Sequence, residues 1–171
     1  FALVGGMIEG TKEPDGTGWI PKRCIGDVNF RQCGVQNVID TVKVKHVSGC
    51  WSELAFKSYE QGNIKFQGVS RHGVWLDEEP TDQMIFTEAQ TRTIDKKGMV
   101  LFTRTPLFGM SDVIRHFVDG GPGIYYATAT WQDAPHLDEG ERERLLKSFP
   151  EHERETRAKG VPMMGSGGVY P

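Results

Sequence analysis

The chain has 171 residues, of which 20 are Lys or Arg and 23 are Asp or Glu, so its formal net charge is −3. This length suits a single domain of ordinary size, and the slightly negative charge excludes a polycationic binder of nucleic acids. No uncharged run reaches the roughly 18 to 20 apolar residues that a membrane span requires, and no basic segment followed by an apolar one opens the chain as a secretory signal.

The first forty residues are repeatedly interrupted by Gly and Pro, a pattern that predicts one opening strand followed by mostly irregular structure. Residues 41–47 then alternate between apolar and polar side chains, which predicts a half-exposed strand. Residues 53–59 and 63–67 are predicted to form two more strands, joined as a hairpin by the turn at 60–62.

The middle of the chain alternates strands with helices. Residues 73–76 and 99–102 are short apolar runs predicted to be neighbouring parallel strands, and a helix begins between them at Thr81 or Asp82 and ends near Arg92. Further predicted elements are a short helix from Ser111 or Asp112, a strand at 124–129, and helices at 138–149 and 150–159. Strands that alternate with helices indicate an α/β fold with a mainly parallel sheet.

Three stretches of the chain differ in character. Residues 1–130 carry the strands and helices of the α/β core, residues 131–164 form a charged helical segment, and the Gly- and Ser-rich residues 165–171 are predicted to begin a linker. The chain also opens at Phe1 without an initiator Met. We therefore expect it to be a piece of a longer protein.

Three consecutive acids, Asp77, Glu78 and Glu79, follow the first apolar strand. In a nucleotide hydrolase, such a strand places one carboxylate beside the Mg²⁺ bound to the phosphates and a second acid next to the attacking water. Asp77 is the candidate for the metal and Glu78 for the water, with Glu79 as the alternative in the second role. The competing interpretation is an acidic loop that favours the N-terminus of the next helix. Trp75, within the strand, is predicted to be a core aromatic.

Polar side chains also follow the second apolar strand, where Thr103, Arg104 and Thr105 precede a proline. Because ligands of open α/β sheets lie at the carboxyl ends of strands, these residues are candidates for sensing the γ-phosphate at the same edge. The alternative is a strand that ends in a Pro turn, with a Thr that caps the next segment. The two motifs in this order favour the nucleotide site.

Two other patterns fit a functional site poorly. Residues 5–12 have the glycine spacing of a phosphate loop, but Gly-Thr-Lys stands in place of Gly-Lys-Ser/Thr, so we interpret them as a flexible loop. Cys24 and Cys33 are too far apart to form a zinc site with His46 and Cys50, because such pairs usually enclose about two to four residues. An odd number of cysteines, three, argues against a disulfide-stapled fold and favours the reducing cytoplasm.

The order and content of these motifs resemble the large terminase subunit of tailed bacteriophages. The resemblance extends over nearly the whole chain. The segments that carry it are 16–22 (GTGWIPK), 56–62 (FKSYEQG), 75–80 (WLDEEP), 103–112 (TRTPLFGMSD), 130–137 (TWQDAPHL), 150–153 (PEHE) and 165–171 (GSGGVYP).

The resemblance implies a role for each candidate residue. Asp77 would be the Walker B aspartate, Glu78 the catalytic glutamate, and residues 103–106 the coupling motif that links hydrolysis to DNA movement. It also implies a RecA-like P-loop NTPase fold, with ATP and Mg²⁺ as cofactors. Arg92 and Arg104 lie close in sequence to the two motifs, which makes them candidates for a sensor or a trans-acting arginine.

For the whole protein, the resemblance implies an ATP-driven motor that moves double-stranded DNA into procapsids in the cytoplasm of the bacterial host. Implied partners are the portal protein, the small terminase subunit and further copies of the chain in a ring, and an endonuclease domain is expected beyond the linker. The family's phosphate loop is expected upstream of Phe1. We therefore expect the 171-residue chain alone to hydrolyse ATP negligibly.

Two alternatives stay open. One is a non-catalytic interaction module that docks a portal or small terminase subunit, and the other is a helicase-like ATPase of the same broad fold. Nucleotide binding separates the module from the motor, because only the motor requires binding that Asp77→Ala weakens. Residues 135–137 and the linker-like tail favour a terminase over a helicase.

Overall fold

The computed structural model describes residues 18–32, 34, 38–105, 109–134, 136 and 138–160. The chain divides into two compact units, one up to Lys65 and the other from Phe66. The predictions that lie outside the described residues are the opening strand, the loop at 5–12, Cys33, Pro106 and the linker at 165–171. The three-part division predicted from the sequence stays a prediction.

The first unit contains a three-stranded antiparallel sheet in the order β1–β2–β3. Its strands are β1 (Ile25–Phe30), β2 (Ile39–Lys45) and β3 (Trp51–Ala55). The strand predicted at 41–47 is confirmed as β2, shifted two residues towards the N-terminus. Ile39 and Val42 are buried, and partly buried apolar side chains from β1, β2 and the flanking segments pack against them.

A short turn joins β2 and β3 into the hairpin of this unit. Lys45 lies opposite Trp51, and the turn between them contains Gly49 at φ +88°, a conformation that favours glycine. A link this short joins only antiparallel strands. The mainly parallel sheet predicted from the sequence therefore does not extend to the three strands described in this unit.

The hairpin predicted around residues 60–62 is wrong. The strand predicted at 53–59 is confirmed in part as β3, but residues 59–61 and 63–66 form 3₁₀ turns rather than strands. The Ser58 N–H donates to the Gln61 side chain at 3.4 Å, and the Gln61 N–H donates to the Ser58 carbonyl at 3.1 Å. These local bonds satisfy donors that a strand would offer to a neighbour, and the chain turns here instead of extending.

The second unit contains two parallel strands, β4 (Gly73–Asp77) and β5 (Met99–Thr103). A helix of 12 residues, α1 (Gln83–Ile94), connects them, as a parallel crossover requires. Of the two candidate caps, Thr81 and Asp82, it is Asp82 whose carboxylate accepts a backbone N–H of the first turn, at 2.9 Å. The predicted order of strand, helix and strand is confirmed.

Apolar residues of α1 and of α2 (Asp112–Val118) pack with β4 and β5 to form the core of the second unit. Phe86 of α1 lies edge-on to Phe117 of α2, with ring centroids 5.6 Å apart, and Phe117 lies at the same distance from Phe102 of β5. Leu76 of β4 is 1% exposed. These contacts hold both strands against the helices.

The strand predicted at 124–129 is wrong, since these residues pair with no strand in the described part of the chain. They follow a glycine-rich turn in which Gly121 has φ +145°. Two charged helices, α3 (Glu139–Ser148) and α4 (Glu151–Lys159), then occupy the ranges where helices were predicted. Among the described helices, none combines the length and apolar character needed to cross a membrane.

Candidate functional site

The carboxyl ends of β4 and β5 meet at one edge of the parallel sheet. Asp77 and Thr103 face each other across the pair, and the Glu78 N–H donates to the Thr103 carbonyl at 2.8 Å, which extends the pairing by one bond. Polar residues that follow two separate strands in the sequence are thereby brought together. We call Asp77, Glu78 and residues 103–105 the carboxyl edge.

A chain of side-chain hydrogen bonds crosses from β4 to β5 and back. Trp75 Nε1 donates to Thr103 Oγ1 at 2.8 Å, and Thr103 Oγ1 donates to Asp77 Oδ1 at 2.8 Å. All three residues are half-buried. Because one partner is a carboxylate, the second bond belongs to the stronger, charge-assisted kind, and it holds the acid and the hydroxyl together.

Glu78 has a backbone conformation that few residues other than glycine adopt. Its φ is +62°, in the left-handed region, where a side chain costs roughly 1–2 kcal/mol. The Glu78 side chain reaches the segment after β5, where its Oε2 accepts the Thr105 N–H at 3.2 Å. The strained turn thus leaves an exposed carboxylate in contact with the polar residues of the neighbouring strand end.

Arg104 is half-buried near two of the acids. Burial lowers the pKa of its guanidinium from the ordinary value, while the nearby Tyr126 and the charges of Glu79 and Glu78 oppose that shift. An arginine stays protonated at neutral pH under such conditions. Its Nη1 is buried with no hydrogen-bond partner among the described residues. A buried cationic donor of this kind fits an anion such as phosphate.

Arg92 does not lie at the carboxyl edge. It is in the last turn of α1, and its carbonyl accepts the N–H of Arg71, two residues ahead of β4, at 2.7 Å. The guanidinium pairs with Glu88 at 3.2 Å, one turn back on the same helix. Arg92 is therefore at the amino edge of the sheet, so its nearness to the acidic motif in sequence is not nearness in space. A role in trans stays a prediction.

A protein family matches nearly the whole chain. The family described as "Terminase large subunit, T4likevirus-type, N-terminal" matches residues 7–171. The chain belongs to the terminase large subunit family.

Two curated terminase large subunits are similar to this chain. The protein of Salmonella phage P22 is 39% identical over 175 aligned positions, which cover 98% of this chain and 34% of that protein. The protein of Enterobacteria phage LP7 is 39% identical over 87 positions, which cover 50% of this chain and 18% of that protein. The terminase chain therefore spans about a third of the length of its P22 relative. No solved structure matches it.

The oxygen atoms at the carboxyl edge of the terminase chain suit one class of metal. Carboxylates of Asp77 and Glu78 and the hydroxyl of Thr103 are hard ligands, and Mg²⁺ usually binds through one or two carboxylates together with substrate phosphates. The described residues contain no group of three or more His, Cys, Asp or Glu side chains that would hold a metal by themselves. The residues present would fit a Mg²⁺ ion held together with substrate phosphates.

Two residues near the carboxyl edge were not predicted from the sequence to belong to the site. The sequence predicts Trp75 as a core aromatic, whereas its indole N–H is part of the bonded chain to Asp77. A signal was present, because residues two apart in a strand share a face and Trp75 precedes Asp77 by two. Tyr126, in the segment predicted to be a strand, lies near enough to Arg104 to affect its pKa, and nothing in the local sequence marks that proximity.

A pocket of about 340 Å³ opens beside the loop that follows Asp77. Its lining residues come from the start of α1 with the loop before it and from the start of α2: Glu79, Pro80, Thr81, Gln83, Met110, Ser111, Asp112 and Val113. Glu79 therefore has different neighbours from Glu78: Glu79 lines this pocket, whereas the Glu78 carboxylate accepts the Thr105 N–H. The two neighbouring acids are structurally distinct.

Replacing Glu78 by Gly is expected to raise the free energy of unfolding by up to about 1 kcal/mol, although it removes a site residue. Glycine adopts the left-handed region without the steric cost that Glu78 bears at φ +62°. The bond from Glu78 Oε2 to the Thr105 N–H is exposed, so its loss offsets only part of this gain. Urea unfolding of the 171-residue chain measures the change.

Lys97→Gly is the matched control for this prediction. Lys97 also has a positive φ, +49°, in the turn before β5. Both substitutions are expected to stabilise the chain, but only the change at Glu78 removes a carboxylate from the carboxyl edge. Destabilisation by Glu78→Gly together with stabilisation by Lys97→Gly would contradict the prediction, since the contacts of Glu78 would then outweigh its strain.

Proposed function

We propose that this terminase chain forms the acid-bearing part of an ATP hydrolysis site in a motor that moves double-stranded DNA. The observation that carries the proposal is the hydrogen bond between Asp77 and Thr103 at the carboxyl edge, with Glu78 bonded to Thr105 beside it. A nucleotide hydrolase needs a metal-side carboxylate, a water-orienting acid and groups that sense the γ-phosphate at one place. Membership of the terminase large subunit family supports the assignment to DNA packaging.

In this proposal Asp77 holds Mg²⁺, in part through water. The Thr103 hydroxyl binds one carboxylate oxygen, Oδ1, and so limits how the group can turn. Held there with ATP, Mg²⁺ would supply charge neutralisation on the phosphate oxygens. The phosphate loop implied by the family resemblance would supply the remaining contacts to the nucleotide.

Glu78 orients the attacking water and accepts its proton. Its carboxylate is exposed at the strand end, next to the carboxylate that takes the metal side. A positioned carboxylate in this role takes the proton as water attacks phosphorus. Glu79 stays the alternative for this role, although its charge acts on Arg104 and its side chain lines the neighbouring pocket.

Residues 103–105 couple hydrolysis to movement. Because Glu78 Oε2 is bonded to the Thr105 N–H, a change of charge at that carboxylate acts directly on the segment after β5. Arg104, with its buried Nη1 atom, senses the γ-phosphate. Departure of that phosphate would remove an anion from Arg104 and alter the balance of charge beside Glu78 and Glu79.

For the whole protein, we propose double-stranded DNA as the track and the portal protein and small terminase subunit as partners. We also propose a homo-oligomeric ring, an endonuclease activity in a further domain, and the cytoplasm of the bacterial host as the location. The similarity to two phage terminase large subunits supports this set of roles. A motor of this kind grips the phosphate backbone, so it needs basic side chains rather than base-specific contacts.

Mg²⁺-dependent binding of a fluorescent ATP analogue to the natural polypeptide that carries this sequence tests the proposal. Asp77→Asn is expected to raise the Mg²⁺ concentration for half-maximal binding at least about 10-fold. Asp95→Asn is the matched control, because Asp95 follows α1 at the opposite edge and accepts a bond from Ser70 at 2.7 Å. Absence of nucleotide binding, or binding with the same Mg²⁺ dependence in both variants as in the unsubstituted protein, would favour the non-catalytic interaction module.

A further inference from the structure

Trp75 begins the hydrogen-bonded chain that passes through Thr103 to Asp77. We propose that Trp75 is a positioning residue, which fixes the Thr103 hydroxyl on the Asp77 carboxylate and thereby sets the orientation in which Asp77 meets Mg²⁺. This role rests on the function proposed above for Asp77. The bonded chain itself is a property of the fold and is measurable separately.

The chemistry of the three side chains determines which of them donates and which accepts in each hydrogen bond. An indole N–H only donates, so Thr103 Oγ1 accepts from Trp75. An ionised carboxylate only accepts, so the single hydroxyl hydrogen of Thr103 points to Asp77 Oδ1. A threonine hydroxyl otherwise rotates to suit its surroundings. Here Trp75 takes one of its acceptor sites and leaves its hydrogen directed at the acid.

Strand geometry places the donor where it is needed. Side chains at 75 and 77 project from the same face of β4, because a strand repeats every two residues. Leu101 lies opposite Trp75 and Thr103 lies opposite Asp77 in the parallel pair. The indole therefore reaches diagonally, past the Leu101 position, to the next residue on that face of β5. The indole is long enough to span this diagonal with its N–H.

Removal of the Trp75 indole donor is expected to make the orientation of the Asp77 carboxylate less fixed. Phe at position 75 would fill most of the same space but would leave Thr103 Oγ1 without the half-buried bond at 2.8 Å that now occupies it. The Thr103 hydroxyl would then be held by its bond to Asp77 alone, without the second partner that fixes its position. Groups that orient a metal ligand from behind change metal affinity by about 10- to 100-fold when they are removed.

Mg²⁺ titrations of fluorescent ATP-analogue binding to the natural polypeptide that carries this sequence provide the first test. Trp75→Phe is expected to raise the Mg²⁺ concentration for half-maximal binding about 10-fold. Thr103→Val, which keeps the shape and removes the hydroxyl, is expected to do the same. The double variant is expected to shift no further than either single one, because both changes break the same chain. Trp131→Phe is the control. Trp131 packs against Phe149, with ring centroids 6.3 Å apart, and takes no part in the hydrogen bonds from Trp75 to Asp77, so no shift is expected.

The indole N–H of Trp75 provides a second readout that does not involve nucleotide. With ¹⁵N-labelled tryptophan, the Trp75 signal is the one that disappears in Trp75→Phe. We expect it at the low-field position of a hydrogen-bonded indole. It is expected to move upfield in Thr103→Val and to stay in place in Thr103→Ser, which keeps the acceptor oxygen.

The outcomes separate this inference from the proposed function. If Trp75→Phe leaves the Mg²⁺ dependence unchanged while Asp77→Asn alters it, or if the effects of Trp75→Phe and Thr103→Val multiply in the double variant, the positioning role is overturned and the proposed function stands. A Trp75 indole signal whose position does not change in Thr103→Val overturns the positioning role as well. If Asp77→Asn and Trp75→Phe both leave the Mg²⁺ dependence unchanged, both proposals are overturned.

Discussion

Replacing Glu78 by Gln in the natural polypeptide that carries this sequence is expected to lower the rate of ATP hydrolysis about 10²- to 10⁴-fold while Mg²⁺-dependent nucleotide binding is retained. Gln keeps the size of Glu and one carbonyl oxygen, so it still accepts the Thr105 N–H that Glu78 Oε2 binds at 3.2 Å. It does not accept a proton from water. The loss therefore falls on the chemical step, and steady-state turnover at saturating nucleotide measures it.

The neighbouring acid supplies the control for this substitution. Glu79→Gln removes a charge that acts on Arg104 and changes the pocket beside the loop, so a loss of less than about 10-fold is expected. A large loss with Glu79→Gln and a small one with Glu78→Gln would transfer the water-orienting role to Glu79. Full turnover by both variants would contradict a hydrolytic role for this strand end.

The carboxyl edge was largely predictable because its signals are local. A run of apolar residues that ends in acids marks where β4 ends, and the same pattern with hydroxyl residues marks the end of β5. The helix between the strands then requires a parallel crossover, which brings both ends to one edge. The register that sets Asp77 opposite Thr103 follows from packing over the whole strand pair. The sequence predicts the neighbourhood of these residues, and the structure supplies their contacts.

Other features depend on partners distant in the chain. The segments at 63–67 and 124–129 contain residues common in strands, but strand formation requires a neighbour with free backbone groups. Residues 63–66 form a 3₁₀ turn instead, and residues 124–129 pair with no strand in the described part of the chain. Arg92 is separated from the acids by the length of a helix, about 1.5 Å per residue, which sequence proximity conceals. The bond from Trp75 to Thr103 joins residues 28 positions apart, so no local pattern specifies it.

Replacing Leu76 by Ala is expected to lower the free energy of unfolding of the second unit by about 2–5 kcal/mol. Leu76 is 1% exposed and lies opposite Phe102 in the parallel pair, so its truncation leaves a cavity where β4 meets the helices. The next residue is Asp77, and a strand that loses its anchor also loses the fixed position of its carboxyl end. Urea unfolding followed by circular dichroism is expected to show the shift.

Leu101→Ala is the matched control, because it makes the same chemical change in the neighbouring strand of the same sheet. Leu101 is 47% exposed, so its truncation is expected to cost less than about 1 kcal/mol. The change in intrinsic strand preference is shared by the two variants and largely cancels in their difference. Equal losses of stability would contradict the prediction and would show that the face of the sheet bearing Leu101 is as well packed in solution as the face bearing Leu76. A loss confined to Leu76→Ala would instead locate the stability of the carboxyl edge in the contacts between β4 and the helices that cover it.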